Sequence, residues 1–289
     1  MVQFLLIDYI EKTSCLIKNI FCHILSLIFM LYAGSATSQV VADFTTLNSN
    51  SGCGSLVVDF QDLSTGAPDT WVWDFGNGNV SSVQNPSIVY STPGVYTVKL
   101  TVGNSLSNDV KIMHDLIYVY EVPNANFNQN VTKVCVPSQV SFVDASVTNS
   151  NIVNWMWDFG DGGSSNDQYP DYEYFYSGIY SVTLVVEDLN GCQNMIVYND
   201  LINAIDAPVS SFSSISNFSC DTSLLVEFLN QSTNSVNYFW DFGDGNFSTQ
   251  SNPNHFYSSG MYSVQLVAQN DICIDTFSIN DFVNVGAVI

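Results

Sequence analysis

The sequence predicts an all-β protein: three tandem two-sheet sandwiches behind an N-terminal export segment. Three observations carry that prediction. One aromatic motif recurs three times, centred on Trp73, Trp157 and Trp240, at intervals of eighty-odd residues. The apolar period inside each copy is two, as in Tyr96-Thr-Val98-Lys-Leu100-Thr-Val102, and such strands bury one face and wet the other. Clusters of Gly, Pro, Asn and Asp separate these runs, and nothing after the export segment has the pattern of a three-turn amphipathic helix. A length of 289 residues would alone suggest about two domains. The repeat raises that to three.

The first element is an address. Ile20 to Tyr32 is an uninterrupted apolar run, short for a membrane span and suited to a signal-peptide core. Small residues follow from Ala33, and cleavage after Ser38 would leave Gln39 as the new N-terminus. The preceding segment is long, and its Lys12 and Lys18 are offset by Asp8 and Glu11, so an uncleaved anchor is the competing reading. A signal peptide over 1–38, with no membrane insertion after its removal, is the expectation. Domains over 39–122, 123–207 and 208–289 follow it.

Each copy is built in the same order. It opens on a small residue near a Phe: Ala42 and Phe44, Ala125 and Phe127, Ser211 and Phe212. An alternating strand comes next, such as Val140-Ser-Phe142-Val-Asp144 or Val226-Glu-Phe228-Leu-Asn230. The motif follows as Trp71-Val-Trp73-Asp74-Phe75-Gly76-Asn77-Gly78 in the first copy. It returns as Trp155-Met-Trp157-Asp158-Phe159-Gly160-Asp161-Gly162 and as Tyr238-Phe-Trp240-Asp241-Phe242-Gly243-Asp244-Gly245. Then come Asn85-Pro86 and Asn252-Pro253, replaced in the second copy by Gln168-Tyr-Pro170. A Gly-x-Tyr-x-Val strand starts at Gly94, Gly178 and Gly260, and the copy closes on Asp115, Asp200 or Asp281 followed by an apolar strand. The linkers, Glu121-Val-Pro123-Asn124 and Asp206-Ala-Pro208, are short, and their prolines restrict the hinge.

The motif's residue types have two readings. Alternation puts Trp71, Trp73 and Phe75 on one strand face. Large aromatics there nucleate a small core, so Trp73, Trp157 and Trp240 are expected to be buried. Trp71, Trp155 and Tyr238, less uniform across the copies, are the candidates for an aromatic platform that would stack on sugar rings. The Asp-Gly pairs are tight-turn chemistry, with Gly supplying positive φ and Asp bonding nearby backbone N–H groups. The same carboxylates make weak calcium binding the alternative, although the ordered Asp-x-Asp-x-Asp-Gly ligand spacing is absent. No resident cofactor is expected.

The cysteines fit export. Cys135 with Cys192, and Cys220 with Cys273, occupy matching positions in the second and third copies, and disulfides between them would require an oxidising compartment. Cys53 matches Cys135 and Cys220, but the Ser105–Asn108 turn offers it no partner, so it is expected to be the odd thiol.

Charge excludes whole classes. The chain has 5 basic and 27 acidic residues, a net charge of −22, and no Arg. Nucleic acids and anionic membrane surfaces are bound through cations, so both are excluded as partners. The acidic surplus favours an extended array modulated by salt or divalent cations. His114 and His255 are the only histidines after the export segment, and neither sits in a repeated position shared by the other copies. No nucleophile elbow, zinc-protease helix motif or phosphate loop is present, so no enzyme is expected.

Trp-Asp-Phe-Gly-Asp-Gly, then Asn-Pro-x-x-x-Tyr, then Gly-x-Tyr-x-Val, closely resembles the PKD (polycystic kidney disease) domain, and the resemblance covers about residues 41–289. It implies immunoglobulin-like β-sandwiches on the outside of a cell, here in an exported protein of bacterial type. It also implies a structural corner role for the Tyr after each Gly, as in Tyr96. The function expected is a non-catalytic, secreted or cell-surface spacer or adhesion module for protein contacts. The alternative is an accessory module for polysaccharide or another extracellular polymer, within a larger secreted protein.

Overall fold

A computed structural model describes residues 39–286 of the chain; the expected signal peptide, 1–38, lies outside the described residues. Two compact units are present, one ending at Tyr120 and one beginning at Glu121. The first holds one β-sandwich and the second holds two, and all three share one topology.

The first sandwich contains β1 (Phe44–Thr46), β2 (Ser51–Cys53), β3 (Leu56–Asp62), β4 (Thr70–Asp74), β5 (Val80–Ser81), β6 (Ser87–Tyr90), β7 (Gly94–Gly103) and β8 (Asn108–Tyr120). The second contains β9 (Phe127–Gln129), β10 (Lys133–Val136), β11 (Ser138–Asp144), β12 (Ile152–Asp158), β13 (Ser164–Ser165), β14 (Asp171–Tyr174), β15 (Gly178–Asp188) and β16 (Gln193–Asp206). The third contains β17 (Phe212–Ser214), β18 (Phe218–Ser219), β19 (Ser223–Asn230), β20 (Asn237–Asp241), β21 (Phe247–Ser248), β22 (Asn254–Ser258), β23 (Gly260–Gln269) and β24 (Ile274–Val285).

In each sandwich a three-stranded sheet faces a five-stranded one, ordered β1-β3-β6 and β2-β8-β7-β4-β5 in the first. Pairing is antiparallel except where β2, β10 and β18 run parallel to the ends of β8, β16 and β24. The long closing hairpin of each sandwich carries a bulge at the repeated Asp. Asp115, Asp200 and Asp281 have φ of 49°, 53° and 51°, a left-handed conformation that Asp tolerates better than most residues. Each presents its backbone N–H to the hydroxyl of Thr97, Ser181 or Ser263 across the hairpin. The left-handed φ, rather than a backbone bond that most residues could make, accounts for the repeated Asp at this bulge.

The cores follow the alternation seen in the sequence. Phe44, Phe60, Trp73 and Phe75 interlock in the first sandwich, and Val98, Leu100 and Val102 line the five-stranded sheet beside Trp73. Phe127, Phe142, Trp157 and Phe159 repeat this set in the second, as do Phe212, Phe228, Trp240 and Phe242 in the third.

The cysteine pairing differs from the expected Cys135–Cys192 and Cys220–Cys273. Cys135 is bonded to Cys273, with Cα atoms 5.7 Å apart, and Cys220 is a free, exposed thiol. Cys53, expected to be the odd thiol, is held in a disulfide, as is Cys192. The reason is strand length. β10 places Cys135 opposite Ile205, near the end of β16, whereas Cys192 precedes the start of β16 at Gln193. At about 3.3 Å per residue, the two cysteines lie roughly 40 Å apart along one strand. A disulfide needs Cα atoms within about 7 Å. Matching positions in two repeats therefore marked a join between repeats.

That join is reinforced on both sides. The Asn270 side-chain amide donates to the backbone oxygen of Asp206 in the linker at 2.8 Å. Lys133, two residues before Cys135, pairs with Asp271, two residues before Cys273. The ion pair is solvent-exposed and adds little energy, but the disulfide closes a loop of 138 residues. In the chain-entropy model such a closure is worth about 5 kcal/mol.

Candidate functional site

Trp73, Trp157 and Trp240 are buried, and each ring nitrogen donates to a backbone oxygen ten residues on: Val83, Asp167 and Gln250, at 2.8–2.9 Å. They are core residues that also tie down the loop after the motif. Tyr90, Tyr174 and Tyr257, from the Pro-x-x-x-Tyr segment, are fully buried and donate to the backbone oxygens of Phe75, Phe159 and Phe242. Burial drives their phenols far above the usual tyrosine range. The corner tyrosines behave as expected: Tyr96, Tyr180 and Tyr262 each donate to the backbone oxygen four residues upstream.

The candidate platform residues are half-buried and internally engaged. Trp71 Nε1 donates to Asp62 Oδ2 at 2.7 Å, and Trp155 Nε1 to Asp144 Oδ2 at 2.8 Å. In the third sandwich Tyr238 stands in place of Trp, and Asn230 stands in place of the Asp. Tyr238 donates instead to the backbone oxygen of Ser235 at 3.3 Å. The Trp–Asp pair thus changes as a pair. Burial pushes the Asp62 carboxyl up, but hydrogen bonds from Ser64, Gln84 and Trp71 together outweigh it and hold Asp62 below the ordinary aspartate range.

Trp155 borders an open cleft of about 490 Å³ on the second sandwich, lined also by Asp144, Thr148, Ser150, Asn151 and Gln168. The cleft has a polar rim and one aromatic wall, and Asp144 already accepts bonds from Trp155 and Gln168. A second exposed aromatic feature is confined to the third sandwich: Phe239 and Phe247 stack with centroids 5.4 Å apart on the outer sheet face.

The motif turn is structural. Asp74, Asp158 and Asp241 each accept the N–H of the Gly two residues on, at 2.9–3.0 Å. Gly76, Gly160 and Gly243 have φ of 73°, 85° and 80°, and an added Cβ would lie 2.1–2.5 Å from the backbone oxygen of Thr97, Ser181 or Ser263. Only glycine fits there. Asp161 and Asp244 bond the backbone two residues on and also hold an aromatic ring. Tyr172 donates to Asp161 at 2.8 Å while stacked on Phe159, and His255 meets Asp244 at 2.7 Å while stacked on Phe242. In the first sandwich Ile88 stands at the ring position and Asn77 at the Asp position, so no such pair forms. Among the described residues no group of three or more His, Cys, Asp or Glu side chains is arranged to hold a metal ion. No described helix is long and apolar enough to cross a membrane.

The sequence alone did not single out Asp62, Asp144 or His255. The signal was present in the joint change of Trp155 with Asp144 to Tyr238 with Asn230, which becomes readable once the rings and carboxylates are seen in contact.

Tandem immunoglobulin-type sandwiches, each pinned by a buried Trp and an Asp-Phe-Gly turn, define a class of β-sandwich repeat modules. The chain belongs to the PKD domain family, whose profile matches residues 40–113, 120–201 and 207–285. It is 41% identical over 69 residues to the pre-pro-metalloprotease PrtV of Vibrio cholerae, covering 24% of this chain and 7% of that protein. It is 35% identical over 85 residues to a microbial collagenase of Vibrio alginolyticus, covering 29% of this chain and 10% of that protein. The chain thus spans a tenth or less of these relatives. Among solved structures, the PKD1 domain of Vibrio cholerae PrtV is 31% identical, covering 28% of this chain and 98% of that one, with a TM-score of 0.26.

Proposed function

We propose that the chain is a non-catalytic, secreted or cell-surface module that spaces and presents protein contacts outside the cell. The observation that carries this reading is the Cys135–Cys273 disulfide, which couples consecutive sandwiches at their join. A spacer works by limiting the hinge between beads, and this bond limits it directly. The platform residues point the same way, since Trp71 and Trp155 are half-buried and show only part of each ring to solvent. The oxidised cysteines suit an extracytoplasmic compartment. The PKD segments of PrtV and of the collagenase support an accessory role beside other domains.

The second reading, polysaccharide or polymer binding, rests on the cleft beside Trp155. The two are separated by passing the oxidised chain over cellulose, chitin and collagen. The spacer reading expects no retention on the polysaccharides. Retention that disappears in Asn151→Trp, which fills the cleft from its exposed rim, would overturn it in favour of polymer binding.

A further inference from the structure

We propose that Cys220 is an attachment thiol. It takes, in a disulfide, the hairpin cysteine of a further PKD domain seated on the exit end of the third sandwich. The argument starts from the join already described. In the second sandwich, β10 runs parallel to the end of β16, and Cys135 lies beside Ile205 where the chain leaves for the next domain. That next domain returns its β23–β24 hairpin to the same place and bonds Cys273 to Cys135.

The third sandwich repeats the acceptor half of this joint. Its β18 pairs Phe218 with Asn284 and Ser219 with Val285, and Gly286 N donates to Ser219 O at 2.9 Å. Cys220 therefore stands at the exit beside Gly286, as Cys135 stands beside Ile205. It differs in being free and exposed. The copy whose cysteine is occupied shows what this position receives.

The donor half is equally well defined. Cys273 is held by a four-residue hairpin in which Asn270 N donates to Cys273 O at 3.0 Å and Asn270 Oδ1 accepts Cys273 N at 3.1 Å. Asn104 and Ser107 make the same pair of bonds in the first sandwich, so Ser107 occupies the cysteine position there. The other two hairpin cysteines, Cys192 and Cys273, are already oxidised. A second copy of this chain consequently offers no free hairpin thiol, and the partner is a different PKD domain. Phe218, exposed, replaces the Lys133 that pairs with Asp271 in the internal joint. The partner hairpin should carry an apolar residue where Asp271 stands.

The chemistry is two successive thiol–disulfide exchanges with an oxidised dithiol donor. The Cys220 thiolate attacks one donor sulfur, forming a mixed disulfide and releasing the other as thiolate. The hairpin thiolate then attacks the Cys220 sulfur, and the donor leaves fully reduced with the two protons.

Substituting the missing donor into this chain tests the geometry. Ser107→Cys replaces one atom, and an unchanged thermal melt will show that it folds. Incubated with oxidised glutathione, Ser107→Cys should form a reducible head-to-tail ladder, in which Cys220 of one molecule bonds the introduced thiol of the next. It should form roughly tenfold faster than with the exposed control Val83→Cys. Wild type and Cys220→Ser/Ser107→Cys should give no ladder. Equal rates for Ser107→Cys and Val83→Cys, or a predominance of Cys220–Cys220 dimers, would overturn the proposal. In the native source, alkylation before lysis followed by peptide mapping should find Cys220 joined to a PKD hairpin peptide. A shift in mass on reduction would place that peptide on another polypeptide, and no shift on the same one. An alkylated or glutathione-capped Cys220 would refute the assignment.

Discussion

His255 lies flat on Phe242, with centroids 4.1 Å apart and planes within 5°, and its Nε2 meets Asp244 Oδ2 at 2.7 Å. Stacking fixes the ring in the plane that reaches the carboxylate. In the second sandwich Tyr172 does the same work, stacked on Phe159 and donating to Asp161. Two chemically different rings therefore satisfy the second Asp of the repeated motif.

A pH dependence follows, with its sign set by the carboxyl. Burial pushes the Asp244 carboxyl up, but bonds from His255 and Asn246 and the charge of His255 hold it below the ordinary aspartate value. Its contribution to stability is present above the unfolded value and lost as pH falls through the lower folded value. Urea melts of the third sandwich from about pH 5 down to about pH 2 should show this loss. His255→Ala should flatten it, and His255→Tyr should retain it in part.

The second sandwich carries the opposite dependence. Burial, then the bond to Asp161, pushes the Tyr172 phenol up to about 12. Stability from this group is fully present below the unfolded value of 10.0 and is lost as pH rises through about 12. Tyr172→Phe should remove that alkaline loss, read by fluorescence-monitored unfolding.

Two glycines of one turn should behave differently. Gly243 and Gly245 both have positive φ, but a Cβ on Gly243 would meet Ser263 O at 2.1 Å, and one on Gly245 would meet nothing within 4 Å. Gly245→Ala should cost about 1–2 kcal/mol from its φ alone. Gly243→Ala should cost about 3 kcal/mol or more, since backbone must also move. Chemical denaturation of the two variants compares them.

The Trp–Asp pair can be transplanted. Trp155→Phe should cost about 1–2 kcal/mol by leaving Asp144 without its ring donor. Tyr238→Trp and Asn230→Asp should each be unfavourable alone in the third sandwich and favourable together. A double-mutant cycle should show a coupling of about 1 kcal/mol, and additivity would refute the pairing.

Cysteine mapping checks the join. Non-reducing proteolysis and mass spectrometry of the purified chain, produced apart from any partner domain, should recover Cys135 linked to Cys273, with Cys220 left open to alkylation before any reduction. Removing that bond with Cys135→Ser/Cys273→Ser should leave both sandwiches folded and widen their relative motion, measured by scattering in parallel with the oxidised chain.

Much of this was legible in the residues themselves. The period-two strands, the buried Trp73, Trp157 and Trp240, and the corner tyrosines are local consequences of residue type at fixed spacing. A repeat displays them three times over. The Asp-Gly turns were legible because Asp and Gly have few other uses there. Pairings across the fold were not. Asp144 and Trp155 are eleven residues apart on different sheets, and alternation says which face each occupies but not what it touches.

The cysteines mark that boundary most sharply. By itself the sequence determined three sandwiches of one pattern in a strongly acidic chain without arginine. Only the tertiary structure decided that Cys135 reaches forward to Cys273, because one extended strand separates Cys135 from Cys192 by the length of a whole sandwich. Sequence position counts residues, and a disulfide obeys distance. The β-strand between them converts the fewest intervening contacts into the greatest separation.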